Sequence, residues 1–442
     1  MIEIIALGGY QEFGRNMTAV KVDDEVVILD MGIHLENYIN LTQDEDLIKV
    51  SRKDLERVDA IPQLGNFEDI KNKTIAIIPT HAHLDHIGAL PFLARGFKCP
   101  IYCTPFTSEV IKTIYEDEKL KLKNEIKVMQ TNSTKKISDN ITLEFISVAH
   151  STPQTVMVAI HTKEGIVLYG NDFKADTNTV LGETPNLERI KELGKSGKVL
   201  ALICDSTYSM DDKETKSEND AKDMLGAVLM GKDYEGKVIL VSTFSSHLAR
   251  LNAIVEFSKK IGRKVVFLGR SLWKYTHSGE EAGIVKFKDV EIYKYRKEIN
   301  RKLKQIMSEG PDKYVLVVTG HQGEPKATLS RMANDETPLK LLNGDIVIFS
   351  SSVIPVESNI KNREALEKSL KNQNVDIFRD IHVSGHAAKK DLAKLLDMVK
   401  AKHIIPAHGD LSMLEGVERI ALDAGQDKNN IHILSNGSSI KL

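Results

Sequence analysis

One stretch constrains this chain more than any other: Thr80-His81-Ala82-His83-Leu84-Asp85-His86-Ile87-Gly88. It follows the apolar run Ile75-Ala76-Ile77-Ile78, which reads as a buried strand. It precedes Ala89-Leu90-Pro91-Phe92-Leu93, which reads as the start of a helix. Three imidazoles and a carboxylate beside a core are costly unless something holds them. In an extended segment residues two apart point the same way, so His81 and His83 can grip one ion. Asp85 and His86 fall where the chain turns into the helix, and can face a second ion. Imidazole and carboxylate donors suit zinc, or manganese where carboxylates and water dominate. The plainer alternative is a surface cluster of polar residues, but H-x-H-x-D-H at the end of a strand is rare by chance.

The length of 442 residues points to two or three domains. No apolar run is long enough to span a bilayer. The opening Met1-Ile2-Glu3-Ile4-Ile5 has an early acid and no basic region, so no signal peptide is expected. Three cysteines, Cys99, Cys103 and Cys204, offer no disulfide framework and suggest a reducing cytoplasm. Their expected use is as small buried hydrophobes. A net charge of −2 does not advertise a polyanion partner for the molecule as a whole. Basic residues do gather at Lys259, Lys260, Arg263 and Lys264, and again from Lys294 through Arg296, Lys297, Arg301, Lys302 and Lys304. Each group reads as a solvated helix face, with contact to phosphates as the alternative.

Along the chain, Ile2 to Leu7, Thr18 to Val22 and Val26 to Leu29 read as strands, the last two as a hairpin about Asp23-Asp24. Residues 36–70 read as irregular. A helix is expected over 107–120 with Thr107 or Ser108 as its cap. Ile141 to Val148 is a strand running to His150. Val156 to Ile160 and Ile166 to Tyr169 form a hairpin running to Asp172, and Val199 to Cys204 is a strand running to Asp205. From about residue 206 strands and helices alternate, and Val238 to Val241, residues 246–260 and Val265 to Leu268 suggest a βαβ unit. Tyr314 to Val318 and Ile346 to Phe349 add buried strands. A helix over 388–399 then separates His382-Val383-Ser384-Gly385-His386 from His403-Ile404-Ile405-Pro406-Ala407-His408. Asp30, His81, His150, Asp172, Asp205 and His408 all follow strand-like runs, so they are expected to converge at one edge of a sheet.

In this order the residues resemble the metallo-β-lactamase superfamily in its nucleic-acid-processing β-CASP branch. Asp30 matches the first motif, His81-x-His83-x-Asp85-His86 the second, and His150 and Asp172 the third and fourth. Asp205, His386 and His408 stand at the acidic and histidine positions of the additional β-CASP signature. Within that branch the chain is most similar to the ribonuclease J family, especially its short archaeal form. The supporting blocks are Gly14-Arg15-Asn16-Met17, Ser242-Thr243-Phe244-Ser245-Ser246, Gly320-His321-Gln322-Gly323-Glu324-Pro325, Phe349-Ser350-Ser351-Ser352-Val353-Ile354-Pro355 and Ser384-Gly385-His386-Ala387. Leu84 departs from bacterial relatives, which often carry an acid there. The end at Leu442 leaves no room for their extra C-terminal domain.

The resemblance implies an αββα metallo-β-lactamase domain from residues 1–205 and 381–442, with an α/β β-CASP domain inserted at 206–380. It implies a zinc-dependent 5′→3′ exoribonuclease acting on single-stranded, 5′-monophosphorylated RNA in RNA processing and decay. A homodimer in the cytoplasm, without a membrane partner, goes with it. The alternative is an endoribonuclease of the type that cleaves mRNA 3′ ends. Two Zn2+ ions are expected, with Mn2+ or Mg2+ as substitutes. His81, His83 and His150 are assigned to one ion, Asp85, His86 and His408 to the other, and Asp172 to both. Asp30 is expected to support the histidines from behind. Asp85 is also assigned to orient the attacking water, and Asp205 to hold His386 as proton donor to the leaving 3′ oxygen. Asp205 has a plainer use as a turn cap.

Ser384 and Gly385 are expected at a helix N-terminus, where backbone N–H groups favour anions. With His382, Ser351 and Ser352 they are candidates for gripping RNA phosphates, although serine-rich turns after strands are often only turns. The resemblance implies a 5′-monophosphate pocket near them, to which Arg270 and Gln322 are candidates to contribute. His247 and His321 read as ordinary residues or RNA contacts, and Trp273 and Tyr275 as core residues or base-stacking platforms.

Overall fold

The computed structural model describes residues 1–42, 50–65, 68–232, 234–354 and 356–442. Pro355 of the serine-rich block, and residues 43–49, 66 and 67 of the segment expected to be irregular, lie outside them. Around those, the segment holds short helices at Leu35–Thr42, Arg52–Arg57 and Glu68–Lys73. The middle one is closed by Ser51 and Asp54, which cap each other's backbone. Charged side chains on short helices gave little apolar periodicity to read.

The chain divides into two units, one of residues 1–177, 182–215 and 385–442, the other of residues 178–181 and 216–384. In the first, strands β1 (Ile2–Gly8), β2 (Met17–Val22), β3 (Glu25–Leu29), β4 (Thr74–Ile78), β5 (Ile101–Cys103) and β6 (Ile126–Val128) follow one another across a sheet. Strands β7 (Ser133–Lys136), β8 (Thr142–Ser147), β9 (Val156–His161), β10 (Ile166–Gly170) and β11 (Val199–Asp205) build a second sheet. In the other unit, β12 (Ile239–Ser242), β13 (Lys264–Leu268), β14 (Val290–Tyr293), β15 (Tyr314–Val318), β16 (Ile346–Phe349) and β17 (Asp376–Phe378) form a third sheet. The chain then returns to the first unit, where β18 (His403–Ala407) joins β11 and β19 (Ser439–Lys441) joins β1.

Alternation within the strands stacks the first two sheets face to face. Ile4, Val20, Val27 and Ile78 of one sheet share a core with Phe145, Val158, Val167 and Ile203 of the other. The next residues along, Ile146, Ala159, Leu168 and Leu202, point outward and pack with Ile190, Leu395 and Ile420 of the helices Leu187–Lys195, Lys389–Val399 and Leu411–Asp423. Helices Glu68–Lys73 and Pro105–Asp117 lie against β3 and β6 of the first sheet, completing four layers. The second of these begins at Pro105 rather than 107, because proline suits the first helical turn, and Thr104 is its N-cap. Burying each large apolar side chain contributes roughly 1.5–3 kcal/mol. A one-residue slip would turn every such chain outward, so this core fixes which residues stand at the strand ends.

The third sheet is entirely parallel, in the order β14-β13-β15-β12-β16-β17. Strand β15 therefore lies between β12 and β13, which are not the adjacent pair of a simple βαβ unit.

Candidate metal centre

Asp30 follows β3, His81 follows β4, His150 follows β8, Asp172 follows β10, Asp205 ends β11 and His408 follows β18. These strands belong to two stacked sheets, so the edge is that of the sandwich rather than of one sheet. His83 is the extended N-cap residue of the single-turn helix Leu84–Ile87, which carries Asp85 and His86. The turn is held from below: Asn16 N–H donates to the Asp85 carbonyl at 3.0 Å and Met31 N–H to the His86 carbonyl at 2.7 Å. Gly32 permits this approach, since a Cβ there would stand 1.6 Å from the Asp85 carbonyl oxygen. Asp30 and His408 both adopt left-handed backbone, with φ of 59° and 56°. Packing therefore imposes conformations that non-glycine residues resist.

Among the described residues three overlapping donor groups result: His81, His83, His150 and Asp172; Asp85, His86, Asp172 and His408; and Asp172, Asp205, His386 and His408. Asp172 is common to all. In the first group Nδ1 of His83 lies 3.1 Å from Nε2 of His81 and 3.1 Å from Nε2 of His150. These separations approach the ~3.4 Å edge of a tetrahedron with metal–nitrogen bonds of ~2.1 Å. Oδ2 of Asp172 lies 3.4 Å from Nε2 of His81, 3.3 Å from that of His86, 3.5 Å from that of His150 and 3.8 Å from that of His386. Oδ1 lies 3.8 Å from Nε2 of His408. Both Asp172 oxygens and His408 Nε2 are buried without a hydrogen-bond partner among the described residues. Such atoms need a compensating charge, and the donor set fits a divalent cation.

Burial, followed by the neighbouring imidazoles, holds His83 and His150 well below the ordinary histidine pKa, in the neutral form a ligand requires. For His86 burial acts the same way, but Asp172 and Asp30 outweigh it and keep the ring well above that range. At His386 burial again opposes the charge, while Asp205 and then Asp172 push the pKa up to about 9.

Asp30 stands behind the donors with both oxygens occupied. Oδ1 accepts from Thr80 N–H at 2.8 Å, and Oδ2 from His86 Nδ1 at 2.8 Å and Tyr169 Oη at 3.0 Å. Asp205 combines its two expected uses: Oδ1 caps the following turn through Thr207 N–H at 2.9 Å, and Oδ2 bonds His386 Nδ1 at 2.8 Å. Sequence reasoning gave no role to Asn16, Thr80, Tyr169 or Asn171. Asn171 donates to Tyr169 Oη at 3.0 Å and to Asn16 Oδ1 at 3.3 Å. Thr80 and Asn171 adjoin His81 and Asp172 in sequence, a signal that could have marked them.

Helix Lys389–Val399 starts after its N-cap Ala388, so Ser384 and Gly385 do not sit at a helix N-terminus. Gly385 and His386 form a bend ahead of the helix instead. The Gly385 carbonyl accepts from His150 Nδ1 at 2.7 Å, which makes Gly385 an orienter of a donor histidine.

In the other unit, the loops after β12, β13, β15 and β16 carry Phe244, Arg270, Gln322 and Ser351-Ser352 at the carboxyl edge of the parallel sheet. Gln322 uses its amide inside this loop system, donating to the Ser352 carbonyl at 3.0 Å and accepting from Ile354 N–H at 2.9 Å. It therefore braces the serine loop. Phe244 packs near His321 and His382, with ring centroids 4.3 and 5.8 Å away. Ser351 Oγ is buried without a partner among the described residues, Ser352 and Ser384 are half-buried, and Arg270 is exposed. His247 pairs with Glu218 at 3.2 Å in a buried site, which accounts for it without RNA.

A buried carboxylate among histidines at one edge of a two-sheet sandwich defines the metallo-β-lactamase class. Residues 58–209 match the beta-lactamase superfamily domain, 235–367 the ribonuclease J beta-CASP domain, and 375–434 the Zn-dependent metallo-hydrolase RNA specificity domain. The chain is 41% identical to ribonuclease J of Methanocaldococcus jannaschii, over 99% of this chain and 98% of that one. It is 41% identical to ribonuclease J of Pyrococcus abyssi, over 96% and 93%. Identity to ribonuclease J 1 of Streptococcus pyogenes is 31%, over 100% of this chain and 74% of the relative. The chain belongs to the ribonuclease J family. A solved structure of a protein of unknown function from Enterococcus faecalis shares the fold, with a TM-score of 0.65 at 16% identity over the full length of both chains. Among the described residues no helix is long and apolar enough to cross a membrane.

Proposed function

We propose that this chain is a metal-dependent ribonuclease that hydrolyses single-stranded RNA from the 5′ end, prefers a 5′-monophosphate, and uses two zinc ions. The observation that carries the reading is Asp172: a buried carboxylate, unbonded at both oxygens, facing five imidazole nitrogens. Its place in both the His81–His83–His150 group and the Asp85–His86–His408 group supports two ions rather than one. His81, His83 and His150 would hold the first, Asp85, His86 and His408 the second, with Asp172 shared. Divalent ions bound there supply neutralisation of phosphate charge and a water of lowered pKa.

The chain's own residues supply the rest. Asp85, the more exposed carboxylate of the cluster, accepts from the attacking water and orients it. Asp205 fixes Nδ1 of His386, which leaves Nε2–H directed at the cluster, 3.8 Å from Asp172. From there it can protonate the leaving 3′ oxygen. RNA as substrate is supported by the names of the relatives and by the RNA specificity domain matched at 375–434. For the 5′-phosphate, the support is the unpartnered Ser351 hydroxyl at the carboxyl edge of a parallel sheet, the edge at which open α/β sheets receive ligands. Ser352, His382, Ser384 and Arg270 complete that candidate pocket.

The test is degradation of one RNA carrying a 5′-monophosphate, 5′-triphosphate or 5′-hydroxyl, with zinc, manganese or magnesium and with His83→Ala as control. Labelled mononucleotide released at once, fastest from the monophosphate, is expected. Internal fragments indifferent to the 5′ group would instead make the enzyme an endoribonuclease, and no cleavage with any ion would remove the function.

A further inference from the structure

Helix Arg270–Glu281 buries Leu272, Tyr275, Thr276 and Gly279. Its opposite side carries Arg270, Trp273, Lys274 and His277, at the i, i+3, i+4, i+7 spacing that makes one continuous stripe. Arg270 is exposed and the other three are half-buried. Tyr275 is thus a core residue, while Trp273, the single tryptophan of the chain, lies on the solvent side. His277 stacks on it with ring centroids 4.9 Å apart and planes inclined by 17°. Lys294, just beyond β14, sets its ammonium 3.6 Å from the centre of the indole, and 5.4 Å from that of Tyr295, whose residue is 57% exposed.

A tryptophan on the polar side of an amphipathic helix, with an ammonium over its ring, is a poor use of a large apolar surface unless something else covers it. We infer that this stripe, with Lys294 and Tyr295, is a stacking platform for single-stranded RNA, separate from the metal centre. Aromatic faces take unpaired bases of any sequence, and the lysine and arginine heads around them take the phosphates. The occupant is single-stranded because a duplex hides its base faces. Trp273 and Lys294 are both half-buried, and a base stacked on the indole would displace the ammonium toward the adjoining phosphate. Position supports the same partner. Strands β14 and β13 are neighbours, and the stripe begins directly after β13, along the carboxyl edge that also carries Gln322 and Ser351. Four strand spacings from β14 to β16 span roughly 19 Å, within reach of a short stretch of extended RNA.

The inference rests on the ribonuclease reading, and the lone tryptophan separates the two. The full chain carrying His83→Ala, to prevent turnover, is titrated with a single-stranded oligoadenylate and with a duplex of equal length while tryptophan fluorescence is followed. Saturable quenching by the single strand and little by the duplex is expected. By anisotropy of labelled oligoadenylate, Trp273→Ala should bind roughly tenfold more weakly and Trp273→Phe should recover most of the loss. Unquenched fluorescence with unchanged affinity in Trp273→Ala, while wild type still cleaves RNA, overturns the platform and leaves the function standing. A change in sedimentation of Trp273→Ala without a change in RNA affinity also overturns it, by making the stripe a contact between copies of the chain. Absence of cleavage by wild type would remove both.

Discussion

The side-chain oxygen of Asn16 lies 3.0 Å from Nδ1 of His408, and its amide nitrogen lies 3.1 Å from Nε2 of His86. Accepting from Nδ1–H fixes the His408 tautomer that leaves Nε2 bare toward Asp172. One short side chain from the loop before β2 thereby orients donors delivered by two distant parts of the sequence. Asn16→Ala should lower metal affinity by about 10–100-fold, read by competition with a chromogenic chelator. Asn16→Asp, which keeps an acceptor, should recover part of that. Equal metal retention by all three proteins would show that Asn16 does not orient the donors.

His386 meets the donor cluster through its Asp205 bond, its approach to Asp172 and its stacking on His408. If it transfers a proton rather than holding an ion, His386→Ala should lose about 10²–10⁴-fold in cleavage rate with its metal content unchanged. Asp205→Asn should follow it in rate. Loss of metal from His386→Ala would make the residue a ligand instead.

Arg250 is wholly buried in the parallel-sheet unit. It binds Glu218 through two bonds of 2.7 and 2.9 Å, and through Nη1 holds the carbonyls of Ser350 and Ile381 at 3.1 and 2.9 Å. The serine loop and the segment before His382 are thus tied to one guanidinium. Arg250→Met takes a bidentate partner from the buried Glu218, and should destabilise this unit by about 3–5 kcal/mol. Adding Glu218→Leu should restore a large share. Trp273 lies in the same unit, so its fluorescence reports the transition in denaturant, and an unmoved midpoint would show the network to be dispensable.

Glu144 carries the clearest pH signature away from the metal centre. Burial opposes its charge, but His161 and then Arg189 bring its pKa down to about 2 from 4.5. A depressed carboxylate stabilises the folded state above its unfolded pKa and loses that contribution as pH falls through the folded value. Glu144→Gln should therefore be less stable than wild type at pH 7, and the gap should close between pH 4.5 and 2. Thermal melts at several pH values measure this, and a gap that stays constant down to pH 2 refutes the linkage.

The sequence by itself determined the chemistry of the site and the strands that carry it. Apolar runs of period two ending in Asp30, His81, His150, Asp172, Asp205 and His408 are local facts, and burial of those runs leaves the ligand types only the strand ends. The same local reading named the serine loop, since turns after buried strands are visible as composition. Only the tertiary structure decided how the donors are held and which candidates are used elsewhere. Asn16 serves His408 across 392 positions of sequence. Gly385 turns its carbonyl to His150 across 235, and Gln322 spends its amide on Ser352 and Ile354. The choice between Trp273 and Tyr275 also waited on the fold, because two aromatics two residues apart on a helix face different sides and only packing says which side is solvent. A hydrogen bond between distant residues leaves no trace in periodicity or spacing. It exists because both sheets close on one core, and that closure belongs to the whole chain.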